Sequence, residues 1–250
     1  MMQALRLEFQ KAHRRKVWLT VAAIILVEII WTLWGISRMD EHDLAQGWKS
    51  MQFQFSIINS IIMPVLAAVV ASRLCDVEHK GQTFKLLETL MPAGRIFNAK
   101  FLFGSLFMIA AVILQILVII IVGLLKGFQG NPPLDMLAYY LLFTGTVNLT
   151  ILLLQQILSL QFPNQMVSLS VGLLGGLVGI FLLYLPQVFS KFLLWGYYGE
   201  LLFIHMDWNP ATSIVNYAYI PKNWPGFLIL VTGFVILYLI GQRMFIRKEI

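Results

Sequence analysis

Few side chains in this sequence have the arrangement that a catalytic or nucleotide-binding site requires. The phosphate-binding loop G-x-x-x-x-G-K-[ST] is absent, and the dipeptide Gly-Lys does not occur. His13, His42, His79 and His205 are scattered and form no H-E-x-x-H pair, and His205 with Asp207 supplies too few ligands for a metal. No serine lies in G-x-S-x-G. The sequence therefore indicates transport, binding or scaffolding rather than catalysis.

Glu28 is the one acidic residue deep inside a long apolar segment. A carboxylate there costs a few kcal/mol even on permissive scales, so it should face the protein interior, be protonated or pair with a polar group. Two interpretations remain open: Glu28 lines or gates a path through the membrane, or it locks helix packing. The candidate partners are the other polar residues inside apolar segments: Asn59, Gln115, Asn148, Gln155 and Gln156.

The composition excludes a water-soluble globule. Of 250 residues, 59% are hydrophobic and only 12% are charged, whereas soluble domains carry about 25% charged residues. The same numbers exclude a disordered chain and a collagen-like fibre, and the single Cys75 permits no internal disulfide. A nucleic-acid binder would need a basic stripe on a folded soluble face, and with so few charges their positions matter more than the net charge of +6.

Six apolar stretches are long enough to cross a bilayer as helices of about 20 residues. They lack the alternating polarity of barrel strands. We therefore predict an all-α polytopic membrane protein, with one transmembrane domain over residues 1–250. The predicted spans are Val17–Ile36, Phe53–Ala71, Phe101–Leu125, Met136–Leu160, Met166–Pro186 and Gly226–Phe245.

The basic residues predict the orientation of these spans. The N-terminal segment, the connection after the second span and the C-terminal residues hold thirteen of the 18 Lys and Arg. The alternate connections hold Arg38, Lys49, Lys126, Lys191 and Lys222, and they also carry Asp40, Glu41 and Asp43. By the positive-inside rule, both termini should be cytosolic.

Residues 1–16 resemble an amphipathic helix that lies on the inner leaflet. Met2, Leu5, Phe9 and Ala12 recur at helical spacing, with basic residues on the other faces. The alternative is that this segment only anchors the first span through its positive charge.

Residues 187–225 form an unusual connection before the sixth span. The run Phe192–Met206 is too short to span and too apolar for a solvated loop, so we expect a re-entrant or interfacial segment. Aromatic side chains surround it, as at a headgroup belt. They serve either as a plain membrane anchor or as an outer-face contact for an amphiphilic substrate. The candidate contact residues are Trp195, Tyr197, Tyr198 and Trp208.

The fifth span carries glycines at i, i+4 spacing. The two pairs are Gly172 with Gly176 and Gly175 with Gly179, and such small faces let two backbones approach closely. The contact is with a second subunit or with another helix of the same chain, and the motif alone leaves both open.

The connection 72–100 contains a short amphipathic helix. Thr83 is expected to cap it, and Phe84, Leu87, Leu90 and Met91 fall on one face. Pro92 should end it. Such a helix lies on a membrane or inserts into a groove of a soluble partner, and the neighbouring charges offer salt links to that partner. Those charges are Glu78, Lys80, Arg95 and Lys100.

The pattern of this connection resembles the cytosolic coupling region of type-2 ABC exporter permeases. That region reads E-x-x-x-G-T, then L-x-x-x-P-x-x-R and a lysine, and here Gln82 splits the Gly-Thr pair. The resemblance implies that these residues couple the chain to an ATPase: Glu78, Gly81, Thr83, Phe84, Leu87, Thr89, Pro92, Arg95 and Lys100.

The resemblance covers the whole chain and implies its partners. In overall size and in its aromatic outer segment, the chain is most similar to the lantibiotic self-immunity and bacitracin-resistance permeases of Gram-positive bacteria. These relatives imply a permease in the bacterial plasma membrane with two ATP-binding subunits and a second permease chain, identical or paralogous. ATP and Mg belong on the partner ATPase, with no cofactor on this chain and no nucleic acid. The first and fifth spans would meet at the permease contact, and the face of the fifth span with Gly172, Gly175, Gly176 and Gly179 would suit that role.

The implied function is export of cationic, lantibiotic-type antimicrobial peptides from the membrane, which gives immunity or resistance. One alternative keeps the exporter but changes the substrate to a drug, a lipid-linked compound or an ion. The other is a membrane scaffold that binds a peptide without moving it.

Overall fold

The computed structural model describes residues 2–37, 39–81, 83–211 and 214–248, without the side chains of Lys85, Glu88 and Gln187. Arg38 and Gln82, which the sequence analysis used, lie outside the described residues.

The described residues are mainly helical. In chain order the helices are α1 (Met2–Arg14), α2 (Val17–Gly35), α3 (Glu41–Ala45), α4 (Gly47–Gly81), α5 (Phe84–Leu90), α6 (Ala93–Lys126), α7 (Leu134–Gln161), α8 (Gln165–Leu182), α9 (Gln187–Ser190), α10 (Tyr197–Glu200) and α11 (Trp224–Ile246). A 3₁₀ turn at Leu194–Gly196 precedes α10, and strands β1 (Ile204–Asn209) and β2 (Ile214–Tyr219) precede α11.

Six of these helices, α2, α4, α6, α7, α8 and α11, are long and apolar enough to cross a membrane. The predicted helical fold class with six spans is confirmed. Two of the six are longer than a bilayer needs: α4 has 35 residues and α6 has 34, about 50 Å each at 1.5 Å per residue. The connection 72–100 is therefore mostly helical extension of α4 and α6, with only α5 and its flanking residues between them.

Helix α4 lies at the centre of the bundle and packs against α8, α7, α6 and α2. Of the most apolar stretch of α4, 67% of the residues are buried within the chain. The corresponding shares are 28% for α2 and 33% for α8. The central helix is therefore held by the protein itself. In contrast, α2 and α8 present large apolar faces outward.

The two ends of the bundle differ. At one end, which we call the basic end, α1 packs against α4 and α6. The Phe84 ring of α5 contacts Phe245 near the end of α11, and Lys248 Nζ donates to the carbonyl oxygens of Leu160 and Gln161 at 2.7 and 3.3 Å. The first helix and the last described residues therefore lie at the same end.

The opposite end, which we call the hairpin end, carries the antiparallel pair β1–β2, in which Ile204 pairs with Tyr219. The sequence analysis did not predict these strands. Because β2 alternates exposed and half-buried residues, its side chains pack on α4 from one face only: Tyr217 lies against the Phe53 ring, with centroids 5.4 Å apart. Burial raises the pKa of Tyr219 to about 12.

Candidate functional site

Three of the four aromatic residues predicted for substrate contact pack against other parts of the same chain. The Trp195 indole packs on Gly175 of α8, and Tyr197 and Tyr198 are buried. Trp208 on β1 is 57% exposed. Among these four, the structure therefore leaves Trp208 as the side chain most open to an outside ligand.

Tyr198 connects the hairpin end with the interior of the bundle. Its hydroxyl donates to Asn148 Oδ1 of α7 at 2.6 Å. Burial raises the pKa of Tyr198 well above its ordinary value, so the phenol stays protonated and remains a donor. The short helix α10 is in this way fixed to a transmembrane helix.

Glu28 belongs to a polar network in the middle of the bundle. Gln115 Nε2 donates to Glu28 Oε1 and to Asn59 Oδ1, both at 2.8 Å. Asn59 Nδ2 donates to the Tyr140 hydroxyl at 2.7 Å, which in turn donates to Gln115 Oε1 at 2.7 Å. Among the predicted partners, Gln115 contacts Glu28 directly and Asn59 does so through Gln115. The sequence analysis did not predict that Tyr140 also belongs to this network.

The other predicted partners of Glu28 bind elsewhere. Gln156 Nε2 donates to the carbonyl oxygen of Phe97 at 2.9 Å, and Gln155 faces Ser168 of α8 at 2.8 Å. Asn148 accepts from Tyr198. These three polar side chains of α7 therefore bind α6, α8 and α10, and none of them contacts Glu28 in a hydrogen bond of the described residues.

Glu28 also borders an apolar groove of about 370 Å³ between α2, α4 and α8. Its side chain is 0% exposed, and Oε2 has no hydrogen-bond partner among the described residues. The other lining residues are apolar: Val27, Trp31, Ile57, Ile58, Ile61, Ile62 and Ile180. The acid therefore sits beside an outward-facing groove and not in a central channel.

The glycine face of α8 packs inside the chain. A Cβ on Gly172 would lie 2.9 Å from the carbonyl oxygen of Pro64, and one on Gly176 would lie 2.8 Å from that of Ile61. Gly175 and Gly179 are in contact with Trp195. The structure thus shows the intrachain alternative for all four glycines, and their assignment to a permease–permease contact is corrected, because α4 and Trp195 already fill this face.

Helix α5 begins and ends as predicted, but its face is rotated. Phe84 is buried, and Leu87 and Met91 pack on the core. Leu90, which was predicted on the same face, is 70% exposed, and Leu86 is 61% exposed. The helix is therefore fixed by one apolar edge and presents a second one outward.

The residues that flank α5 have separate positions. Thr83 precedes the helix, but its hydroxyl makes no capping hydrogen bond there. Gly81 ends α4, Thr89 donates to the Leu86 carbonyl at 2.7 Å, and Pro92 stands where α6 begins. Arg95 is exposed on the first turn of α6. Thr89 and Arg95 thus remain accessible together with the two leucines.

Glu78 and Lys100 face inward. Lys100 Nζ lies 2.8 Å from Glu78 Oε1 and 3.2 Å from Glu8 Oε2, and it donates to the Leu74 carbonyl at 2.6 Å. Lys11 Nζ is 2.7 Å from Glu78 Oε1 and 3.2 Å from Glu8 Oε1. We call Glu8, Lys11, Glu78 and Lys100 the buried ion cluster. It joins α1 to α4 and α6, so the expected salt link of Glu78 and Lys100 to a partner protein is instead an internal one.

One sequence signal pointed to this cluster. Glu8 interrupts the basic N-terminal segment as its only acidic residue, and α1 buries it together with Ala4 and Ala12 at helical spacing. Arg15 and Lys80 extend the arrangement at the surface by pairing with Asp76 at 3.5 and 3.0 Å.

Potential metal ligands were found together at one place in the described part of the chain, where Asp40, His42 and Asp43 approach one another within 4.8 Å. The Asp43 amide donates to Asp40 Oδ1 at 2.8 Å, and the Asp40 amide donates to Asp43 Oδ2 at 3.4 Å. This is a capping box for α3, which accounts for both acids without an ion.

A bundle of six apolar helices, with a short helix between two long ones at the basic end and no catalytic motif in its sequence, has the architecture of a membrane transport subunit. Residues 4–179 match the family described as ABC-2 family transporter protein. The match covers more than half of the chain, and the protein belongs to this family. No curated protein matched the sequence.

Membership defines the chain as a multi-pass membrane permease of an ABC-2 type transporter. It is the non-catalytic transmembrane subunit. Permeases of this family pair in general with ATP-binding subunits, which carry the nucleotide chemistry.

Proposed function

We propose that this permease exports cationic, amphiphilic antimicrobial peptides of the lantibiotic type from a bacterial plasma membrane, and so gives immunity or resistance. Two ATP-binding subunits would bind ATP and Mg and would contact the basic end, which faces the cytosol with both termini. The observation that carries the transport proposal is the second apolar edge of α5, at Leu86 and Leu90, which is exposed on a helix that follows α4 and precedes α6.

The exposed edge of α5 has the chemistry of a docking surface. Leucines at i, i+4 spacing insert into apolar grooves, and the nearby Thr89 and Arg95 supply polar contacts around them. Phe84 packs against His79 of α4 and Phe245 of α11, with ring centroids 5.0 and 5.9 Å apart. A displacement of α5 would therefore be transmitted directly to two transmembrane helices, α4 and α11.

A second permease chain, identical or paralogous, would complete the bundle. The groove beside Glu28 and the outward faces of α2 and α8 are its proposed contact. In this arrangement a donor from the second chain or from the substrate would reach Glu28 Oε2.

The substrate class is supported by the hairpin end. Its exposed apolar and aromatic side chains form a surface suited to the headgroup region, where an inserted peptide is first met. They include Tyr184, Phe189, Phe192 and Trp208.

The test is reconstitution of the permease with its ATP-binding subunit in liposomes. A cationic amphipathic peptide should stimulate ATP hydrolysis several-fold, and the same peptide with acetylated lysines should not. Replacement of both Leu86 and Leu90 by Glu should abolish stimulation, because two charges cannot enter an apolar groove. Arg6→Glu, at an exposed position of α1 at the same end, is the charge-bearing control and should retain stimulation.

Two other outcomes of this reconstitution would support the alternative functions, export of another substrate or a non-transporting scaffold. Stimulation by a drug, a lipid-linked compound or an ion, and by no peptide, contradicts the peptide substrate but retains the exporter. Peptide binding without any change in ATP hydrolysis contradicts export and supports a scaffold.

A further inference from the structure

A second cavity lies at the hairpin end; it shares Ile57 with the groove beside Glu28 but is otherwise lined by different residues. It has a volume of about 410 Å³, within the range of small-molecule sites. It opens between the outer end of α4, the end of α8, α10 and β1. Most of its walls are apolar, with Phe53, Ile57, Leu182, Leu185, Ile204 and Met206 among them.

An acidic side chain lies at the wall of this cavity. Glu200 is only 7% exposed. Asn223 Nδ2 donates to its Oε1 at 2.7 Å, and the Ser190 hydroxyl donates to its Oε2 at 3.2 Å. These two neutral donors orient the carboxylate without cancelling its charge.

Among the described residues, the cation that pairs with this carboxylate is Lys191. Its Nζ lies 3.9 Å from Glu200 Oε1, too far for a hydrogen bond, and its side chain is half exposed. Only the lysine side of this pair is exposed, and without a hydrogen bond the pair is weaker than a direct charge-assisted contact. Tyr184, Ser190 and His205 also line the cavity and add further polar groups to its wall.

We infer that this cavity, the Glu200 pocket, binds the ammonium group of a cationic amphiphile, with the attached hydrocarbon against the apolar walls. A carboxylate in an apolar enclosure favours a ligand that brings both an opposite charge and apolar surface, because neither water nor a neutral molecule satisfies both. The ammonium comes from a lysine of an inserted peptide or from an amine lipid headgroup. The inference rests on the proposed function, for which it names the first contact of the substrate.

The test uses the permease alone in nanodiscs of phosphatidylglycerol. The probe is a dodecyl chain with a terminal ammonium and a photoreactive diazirine, compared with the same chain ending in a hydroxyl. Mass spectrometry locates the labelled residues. The ammonium probe should label the walls of the Glu200 pocket, and the hydroxyl probe should label them about tenfold less, as expected for loss of one charge-assisted contact.

Three variants make the result specific. Glu200→Gln should lower labelling by the ammonium probe about tenfold, since it keeps groups able to bond Asn223 and Ser190 but removes the charge. Asp207→Asn removes one exposed acid of β1 outside the pocket and should change nothing. Lys191→Ala removes a competing ammonium and should increase labelling. Equal labelling by both probes, or no effect of Glu200→Gln in a protein that elutes as the parent does, overturns the inference.

Competition distinguishes the two sources of the ammonium. Displacement of the probe by a lysine-bearing amphipathic peptide, but not by its acetylated form, supports a peptide contact. Displacement by phosphatidylethanolamine alone overturns the peptide contact and makes the pocket a headgroup site. Because labelling needs no ATPase, peptide-stimulated ATP hydrolysis without pocket labelling overturns the pocket alone. Lysine-dependent labelling without stimulation instead overturns the export function.

Discussion

At the scale of single residues, Glu28 is bound by Gln115 of α6, which also bonds Asn59 of α4 and Tyr140 of α7. Glu28 had to find a polar partner, because an unpaired acid in hydrocarbon is too costly. Which partner it finds depends on how α2, α4 and α6 are rotated, and a single sequence does not reveal this. Tyr140 completes the network at a position that reads as an ordinary aromatic residue of a span.

Glu28→Gln separates the structural from the functional role of this acid. The amide oxygen of glutamine still accepts from Gln115, so thermal unfolding should shift by less than about 1 kcal/mol in free energy. Peptide-stimulated ATP hydrolysis should fall, because the ionisable group beside the groove is gone. Glu28→Leu is the comparison: it leaves Gln115 Nε2 with one acceptor fewer and should destabilise by about 1–3 kcal/mol. Full activity of a stable Glu28→Gln protein would contradict the transport-path hypothesis.

At the scale of elements, the sequence pattern of the connection after the second span predicts where α5 begins and ends but not which of its faces is buried. The bounds of α5 followed from Pro92 and from helical periodicity. Its rotation did not, because Leu86, Leu87 and Leu90 are equally apolar, and only the positions of α4 and α11 decide which of them is covered. In the same way, the sequence pattern indicated that Glu78 and Lys100 were surface charges. They are buried because α1 packs over them, and the pattern does not predict that contact.

The buried ion cluster should hold α1 on the bundle. Lys100→Met removes the cation that Glu78 and Glu8 share and leaves Lys11 as their remaining neighbour, so we expect a loss of about 3–5 kcal/mol in unfolding free energy. Lys80→Met, which removes an exposed partner of Asp76, should cost less than about 1 kcal/mol. Chemical unfolding in detergent, followed by tryptophan fluorescence, measures both. Similar stability of the two variants would show that the cluster does not fix α1.

The contact between α8 and α4 requires glycine at its closest points. Gly176→Val places a side chain against the Ile61 backbone, which cannot withdraw as a flexible side chain would, and should cost about 1–3 kcal/mol or more. Gly233→Val in α11 is the matched control, because nothing lies within 4 Å of a Cβ there. Thermal melting of each purified variant gives the comparison. A Gly176→Val protein that melts like its parent but elutes at a smaller size would instead place this face between two permeases.

At the scale of the whole molecule, the number of spans followed from apolar length, and the common end of the two termini followed from an even number of crossings. The hairpin did not follow. The alternation at Val215, Tyr217 and Tyr219 is a strand signal, and the Asn209-Pro210 dipeptide at the end of β1 is a turn signal. The surrounding aromatic residues equally suited a headgroup belt. Two tertiary contacts decide between these interpretations: the ring of Phe53, and Gln46, which bonds the backbone of Val215 and Tyr217.

The orientation in the membrane is the last prediction. Thirteen of the 18 Lys and Arg belong to the segments of the basic end, and basic connections stay in the cytosol, so the hairpin end should face outward. The native thiol does not interfere, because Cys75 is fully buried. A membrane-impermeant maleimide should label Trp208→Cys in intact cells, and should label Leu90→Cys only after permeabilisation. Both positions are exposed at opposite ends of one bundle, so labelling of Leu90→Cys in intact cells would invert the topology and move the ATPase contact from α5 to the hairpin end.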